Sequence, residues 1–133
     1  MGAWDATSFG NDAANDWAHD LVESDDLSPI ESALQRILDA GEGDLATGDS
    51  ERAIAAAEVV AWMLGHPSRL DAFTAKIGAW VIAHPVPPSS SVREMALATV
   101  DRIGRAPSSL LELWDGDPGW TAALADLRAR LSV

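Results

Sequence analysis

Asp16, His19 and Glu23 stand at i, i+3 and i+7, a spacing that puts a carboxylate and an imidazole on one helical stripe, where they could share a divalent cation. Bundle-type metal centres built this way take a matching set from a second, facing helix, and no other His in the chain has an acidic residue three positions before it. The three residues also lie opposite Trp17 and Leu21 on the same helix, which predicts that they face water and hold no metal. Asp12 and Asp20 extend the stripe. Asp12, Asp16, Asp20 and Glu23 together read as a surface for a basic protein partner, with the Asp16, His19 and Glu23 metal site as the alternative.

Glu58 is the second residue with chemical potential, because it interrupts an otherwise apolar run from Ile54 to Leu64. An unpaired carboxylate there is costly, so a dedicated partner is expected: an Arg, a Trp indole N–H or the backbone amides of an N-terminal arm. A catalytic carboxylate with a raised pKa is the competing role. His66 and His84 each close a helix just before a proline, and two imidazoles alone would leave a metal under-coordinated. The chain has no Cys and no Tyr, one Lys (Lys76), and no Gly-rich phosphate loop or serine-nucleophile elbow. Ser28, Ser50, Ser91 and Ser109 are placed to cap helices. The inventory points away from an enzyme, and it implies no cofactor.

The elements that must position these groups are helical throughout. Asn11-Asp12 caps a helix to about Glu23, burying Ala13, Ala14, Trp17 and Leu21. Ser28-Pro29-Ile30-Glu31 combines a capping box with proline at the first helical position and opens a helix that stops near Gly41. A Gly- and Asp-rich loop follows, and Asp49 or Ser50 opens the most apolar segment. That helix, about residues 52–64, is apolar all round and is expected at the centre of the fold, ending at Gly65-His66-Pro67. A further helix, about 70–83, ends alike at His84-Pro85, each with a Trp four residues before the His.

Residues 85–91 are rich in Pro and Ser and read as a connector inside one domain covering 1–133. Ser91-x-x-Glu94 and Ser109-x-x-Glu112 are two more capping boxes, and Asp117-Pro118 caps a last helix with Trp120, Leu124, Leu127 and Leu131 on one stripe. No segment alternates as a strand would. The fold class is all-α, a single compact domain of about seven helices around the central apolar one. Trp17, Trp62, Trp80, Trp114 and Trp120 all fall on apolar faces and read as core residues, with one exposed Trp as an interface anchor the alternative.

Charge sets the bounds on partners. The net charge is −12, and all of that excess lies in residues 1–51, where Arg36 is the one basic side chain; residues 52–133 balance to zero. Such a field disfavours nucleic acid and anionic membranes and suits a basic partner, or simply solubility. The N-terminus carries no leader pattern and no apolar run approaches the roughly 18 residues of a membrane span, so the expected location is the cytoplasm.

Met1-Gly-Ala-Trp4, Phe9-Gly-Asn11-Asp12 and Asp16-Trp17 resemble the start of the bacterial domain-of-unknown-function family numbered 4259. The resemblance continues in Ala55-Ala56-Ala57-Glu58-Val59-Val60, Ser109-Leu-Leu-Glu-Leu-Trp114 and the closing Trp120…Leu124…Leu127-Arg-Ala-Arg-Leu131. Where members often have Gly after the first Trp, this chain has Asp5. The family implies no activity. Trp4 and Phe9, unusual on a terminal segment, are expected to pin residues 1–10 as an arm against the core, with Asn11 and Asp12 as its helix cap and Glu58 as a latch.

Overall fold

In the computed structural model, residues 11–67, 75–85 and 87–132 are described. Trp4, Phe9 and the arm expected at 1–10 therefore lie outside the described residues, as does the expected start of the 70–83 helix. The described residues form α1 (Asp12–Val22), α2 (Ser28–Asp39), α3 (Thr47–Met63), α4 (Ala75–Ala83), α5 (Ser90–Ile103), α6 (Ser109–Leu113) and α7 (Pro118–Ser132), with no strand among them. The all-α class holds.

Helix α3 packs against all six others, which makes it the axis of the fold. Its sequence explains why. Ala53, Ala55, Ala56, Ala57 and Ala61 are fully buried at successive angles around the helix, and such small side chains let neighbours approach from every side. Larger neighbours fill the spaces between them: Leu21 from α1, Ile30 and Leu34 from α2, Ile77 from α4, Val100 and Ile103 from α5, and Leu127 and Leu131 from α7 join one hydrophobic cluster. Each such fully buried aliphatic side chain contributes about 1.5–3 kcal/mol by leaving water.

The helix starts obey capping chemistry but not always at the predicted residue. The Asn11 side chain accepts the Ala14 N–H at 2.7 Å, and Asp117 accepts the N–H groups of Gly119 and Trp120, both as expected. Helix α5 is capped by Ser89 rather than Ser91, inside the stretch read as a connector, and α6 by Ser108 rather than Ser109. Runs of adjacent serines offer equivalent caps, and the earlier one wins because it adds helical hydrogen bonds. Ser28 is itself the first helical residue of α2, and its N–H is accepted by Asp26.

Ser50 departs most. Helix α3 begins three residues before it, at Thr47, with no side-chain cap, and the Ser50 hydroxyl is fully buried without a hydrogen-bond partner. Burying an unpaired hydroxyl opposes folding, so Ser50→Ala is expected to raise the unfolding free energy by about 1 kcal/mol in urea titrations. A loss of stability would show that the hydroxyl has a partner in solution.

The C-terminus of α3 does what Gly65 predicts. Gly65 takes φ of 88°, and the His66 N–H reaches back to the Ala61 carbonyl at 2.9 Å, closing the helix end. None of the seven helices is long and apolar enough to cross a membrane, among the described residues.

Candidate functional site

Helix α1 carries the candidate surface because its two faces are chemically opposite. Ala14, Trp17, Ala18 and Leu21 are buried, and the Trp17 indole N–H donates to the Pro29 carbonyl at 3.2 Å, fixing the helix against the start of α2. Ala13, also expected inward, is half-buried. Asp12, Asp16, Asp20 and Glu23 all fall on the exposed side. The cap by Asn11 and the buried face hold these four carboxylates at fixed spacing on a rigid helix, and Asp12 in the first turn lies at the favourable end of the helix dipole.

At the α1–α3 junction the acidic field perturbs a neighbour. Glu51 is pushed above the usual carboxylate range, first by desolvation and also by the charge of Asp12, which outweigh the lowering effect of Arg52. A carboxylate whose folded pKa is raised favours the fold below its unfolded pKa, and that contribution disappears as pH rises through the folded value. Glu51→Gln is therefore expected to match or exceed the wild type in stability at neutral pH, with the two proteins converging toward acid pH in unfolding scans. A variant less stable at neutral pH would refute this assignment. Glu42 behaves oppositely: its hydrogen bond from Arg105 holds its carboxyl low, so its contribution exists above the unfolded pKa and is lost as pH falls.

The Asp16, His19 and Glu23 stripe does not become a cluster. His19 Nε2 lies 3.8 Å from Glu23 Oε1, both side chains are about 70% exposed, and among the described residues no three His, Asp or Glu side chains gather closely enough to hold a metal ion. A single outward-facing helix cannot surround an ion. His66 and His84 likewise engage different partners: His84 Nδ1 meets the Trp80 carbonyl of its own helix at 2.8 Å and the two rings stack, whereas His66 Nδ1 meets the Arg130 carbonyl of α7 at 3.1 Å. The left-handed turn at Gly65 takes His66 off the α3 axis, so it serves the end of α7 instead of its own helix.

Glu58 meets an arginine. The Arg130 guanidinium from α7 forms a two-pronged ion pair with the Glu58 carboxylate, donates its Nε–H to Asp126 at 2.8 Å, and reaches the His66 carbonyl at 3.2 Å. Glu58 is 2% exposed, and its hydrogen bonds, ahead of its charge, push Arg130 further into the protonated state. Arg130 was not singled out in the sequence. The available signal was its position beside Leu131 and three residues after Leu127, at the margin of the buried stripe of α7.

Two further arginine arrangements have no sequence signature. Arg102 is buried and donates to three backbone carbonyls, those of Gly41, Gly43 and Arg105. Arg36 of α2 and Arg52 of α3 converge on the same oxygen of Asp49, at 3.0 and 3.1 Å, beside a cleft of about 770 Å³ that also exposes Asp20 of α1 and Asp39. As for the tryptophans, Trp17, Trp62, Trp80 and Trp120 are buried and Trp114 is half-buried, so none of these five is an exposed anchor.

Among known proteins, the family described as "Domain of unknown function (DUF4259)" matches residues 2–124. The match stops short of the Leu127–Leu131 segment that carries Arg130. No curated protein and no solved structure matches the chain.

Proposed function

The chain belongs to the DUF4259 family of domains, whose description assigns no activity, and from that premise we propose that it is a non-enzymatic, cytoplasmic protein-interaction module that presents the acidic face of α1 to a basic partner. One observation carries the reading: Asp12, Asp16, Asp20 and Glu23 form a single exposed stripe on a helix whose opposite face is locked into the core. Fixed like charges cost little in water but greatly accelerate encounter with a complementary surface. The elevated pKa of Glu51 beside Asp12 supports the same reading, because a docking cation would relieve that repulsion.

The test is capture of partners at low and high salt by the wild type and by a variant carrying Asp12→Asn, Asp16→Asn, Asp20→Asn and Glu23→Gln. The expected result is a partner held by the wild type at low salt only and missed by the variant. Identical captures by the two proteins would end this proposal.

A specific observation favours a second reading, self-association. Ile82 of α4 is 80% exposed and borders an apolar cleft of about 670 Å³ with Trp62, Gly78 and Val81. Large exposed aliphatic side chains over an apolar cleft mark association surfaces. In that case sedimentation of the wild type would show a concentration-dependent dimer that Ile82→Asp abolishes.

A further inference from the structure

We propose that the cleft between α1, α2 and α3 binds a dipolar peptide ligand, taking a carboxylate on Arg36 and Arg52 and an ammonium or guanidinium group on Asp20 and Asp39. The inference does not rest on the acidic-face reading, with which it shares only Asp20. It starts from the distribution of charge. Arg36 and Arg52 are the only basic residues in the first 52, and the fold brings both to the same cleft although they lie on different helices. There they share one carboxylate oxygen, Asp49 Oδ1, so two positive charges are met by one negative charge at this end of the cleft.

Shared on one oxygen, the Arg36 and Arg52 side chains remain 71% and 47% exposed, with guanidinium edges directed at solvent that a ligand carboxylate could bridge. The remaining wall is of opposite sign, supplied by Asp20 and Asp39, and the floor is apolar, with the ring of Trp17 against Pro29 and Ala33. A concave surface with an apolar floor and polar groups of both signs at its margins has the character of a ligand site. Net charge selects the ligand class. A simple anion would be repelled by a molecule of net charge −12, and a simple cation would gain nothing from the two arginines, whereas a neutral dipolar ligand satisfies both ends without either penalty. The cleft, at about 770 Å³, is larger than a single amino acid and accommodates a short peptide.

The experiment is an NMR titration with the dipeptide Lys-Asp, following the Trp17 indole N–H and the Arg36 and Arg52 Nε–H signals, with the Trp120 indole as an internal reference. Succinate and lysinamide serve as anionic and cationic controls. Saturable shifts at Trp17 and both arginines with Lys-Asp are expected, with neither control reproducing them. The Arg36→Gln/Arg52→Gln variant should bind about tenfold more weakly, the loss of one charge-assisted contact. Both arginine side chains are exposed, so the fold should survive. If it does not, Asp39→Asn provides the same test from the other wall. Absence of a saturable Trp17 shift, or lysinamide binding equally well to wild type and the arginine variant, overturns the proposal. The latter result would leave the acidic-face reading intact, and loss of the salt-sensitive partner would leave this one intact.

Discussion

Replacing Glu58 with alanine is expected to lower the unfolding free energy by about 3–5 kcal/mol, because it strands the Arg130 guanidinium in a largely dry site. With typical domains stable by only about 5–15 kcal/mol, that is a large fraction of the total. The reason for so large an effect is geometric. Glu58 belongs to the helix that every other helix touches, and Arg130 belongs to the last one, so the pair ties the chain's end to its axis. The same guanidinium also holds Asp126 and the His66 carbonyl, and His66 returns a contact to the Arg130 carbonyl.

Loss of the carboxylate should therefore loosen the α3 C-terminus and the end of α7 together. Hydrogen exchange should show this as correlated deprotection of residues 62–66 and 126–131. Glu58→Gln, which keeps the size but not the charge, should cost less than alanine. The double variant Glu58→Leu/Arg130→Met should recover much of the loss, since replacing both members of a buried pair removes the stranded charge. If the single and double variants are equally unstable, the pair is not coupled.

Arg102→Leu is the second large effect, expected at about 3 kcal/mol in urea unfolding, from loss of charge-assisted hydrogen bonds to backbone carbonyls. Arg102 is 5% exposed, and among the described residues it forms no ion pair. Its three acceptors come from the loop after α2, at Gly41 and Gly43, and from the end of its own helix at Arg105. Gly41 holds φ of 57° there, so the loop carbonyls are aimed by a backbone that other residues adopt reluctantly. Arg102→Lys should recover only part of the stability, because one ammonium cannot span the fork that the planar guanidinium fills. Full recovery by lysine would mean that charge alone, and not the shape of the donor set, holds the loop.

How far the sequence could carry the argument depended on the range of the interactions involved. Helix identity and the central place of α3 were legible because they follow from periodicity and from the all-round apolar character of residues 54–64. The Asn11 and Asp117 caps were legible because each is a local hydrogen bond within three residues of its acceptor. Serine caps slipped by one or two positions where neighbouring serines compete, as at Ser89 and Ser108. The exposed stripe of α1 was also visible, since one helix turn after another puts Asp12, Asp16, Asp20 and Glu23 on the side opposite Trp17 and Leu21.

The sequence by itself thus determined the all-helical class, the axis of the core and the acidic outer face, all properties of short stretches of chain. It also required that Glu58 have a partner, since a buried carboxylate demands one, but any of several donors would have met that requirement. Only the tertiary structure decided that the partner includes Arg130, 72 residues away, that Arg102 clamps a loop 59–61 residues before it, and that Arg36 and Arg52 converge on Asp49. Those choices depend on how α2, α3, α5 and α7 cross, and crossing geometry is set by the packing of side chains from distant segments into one core. No periodicity along the chain encodes it.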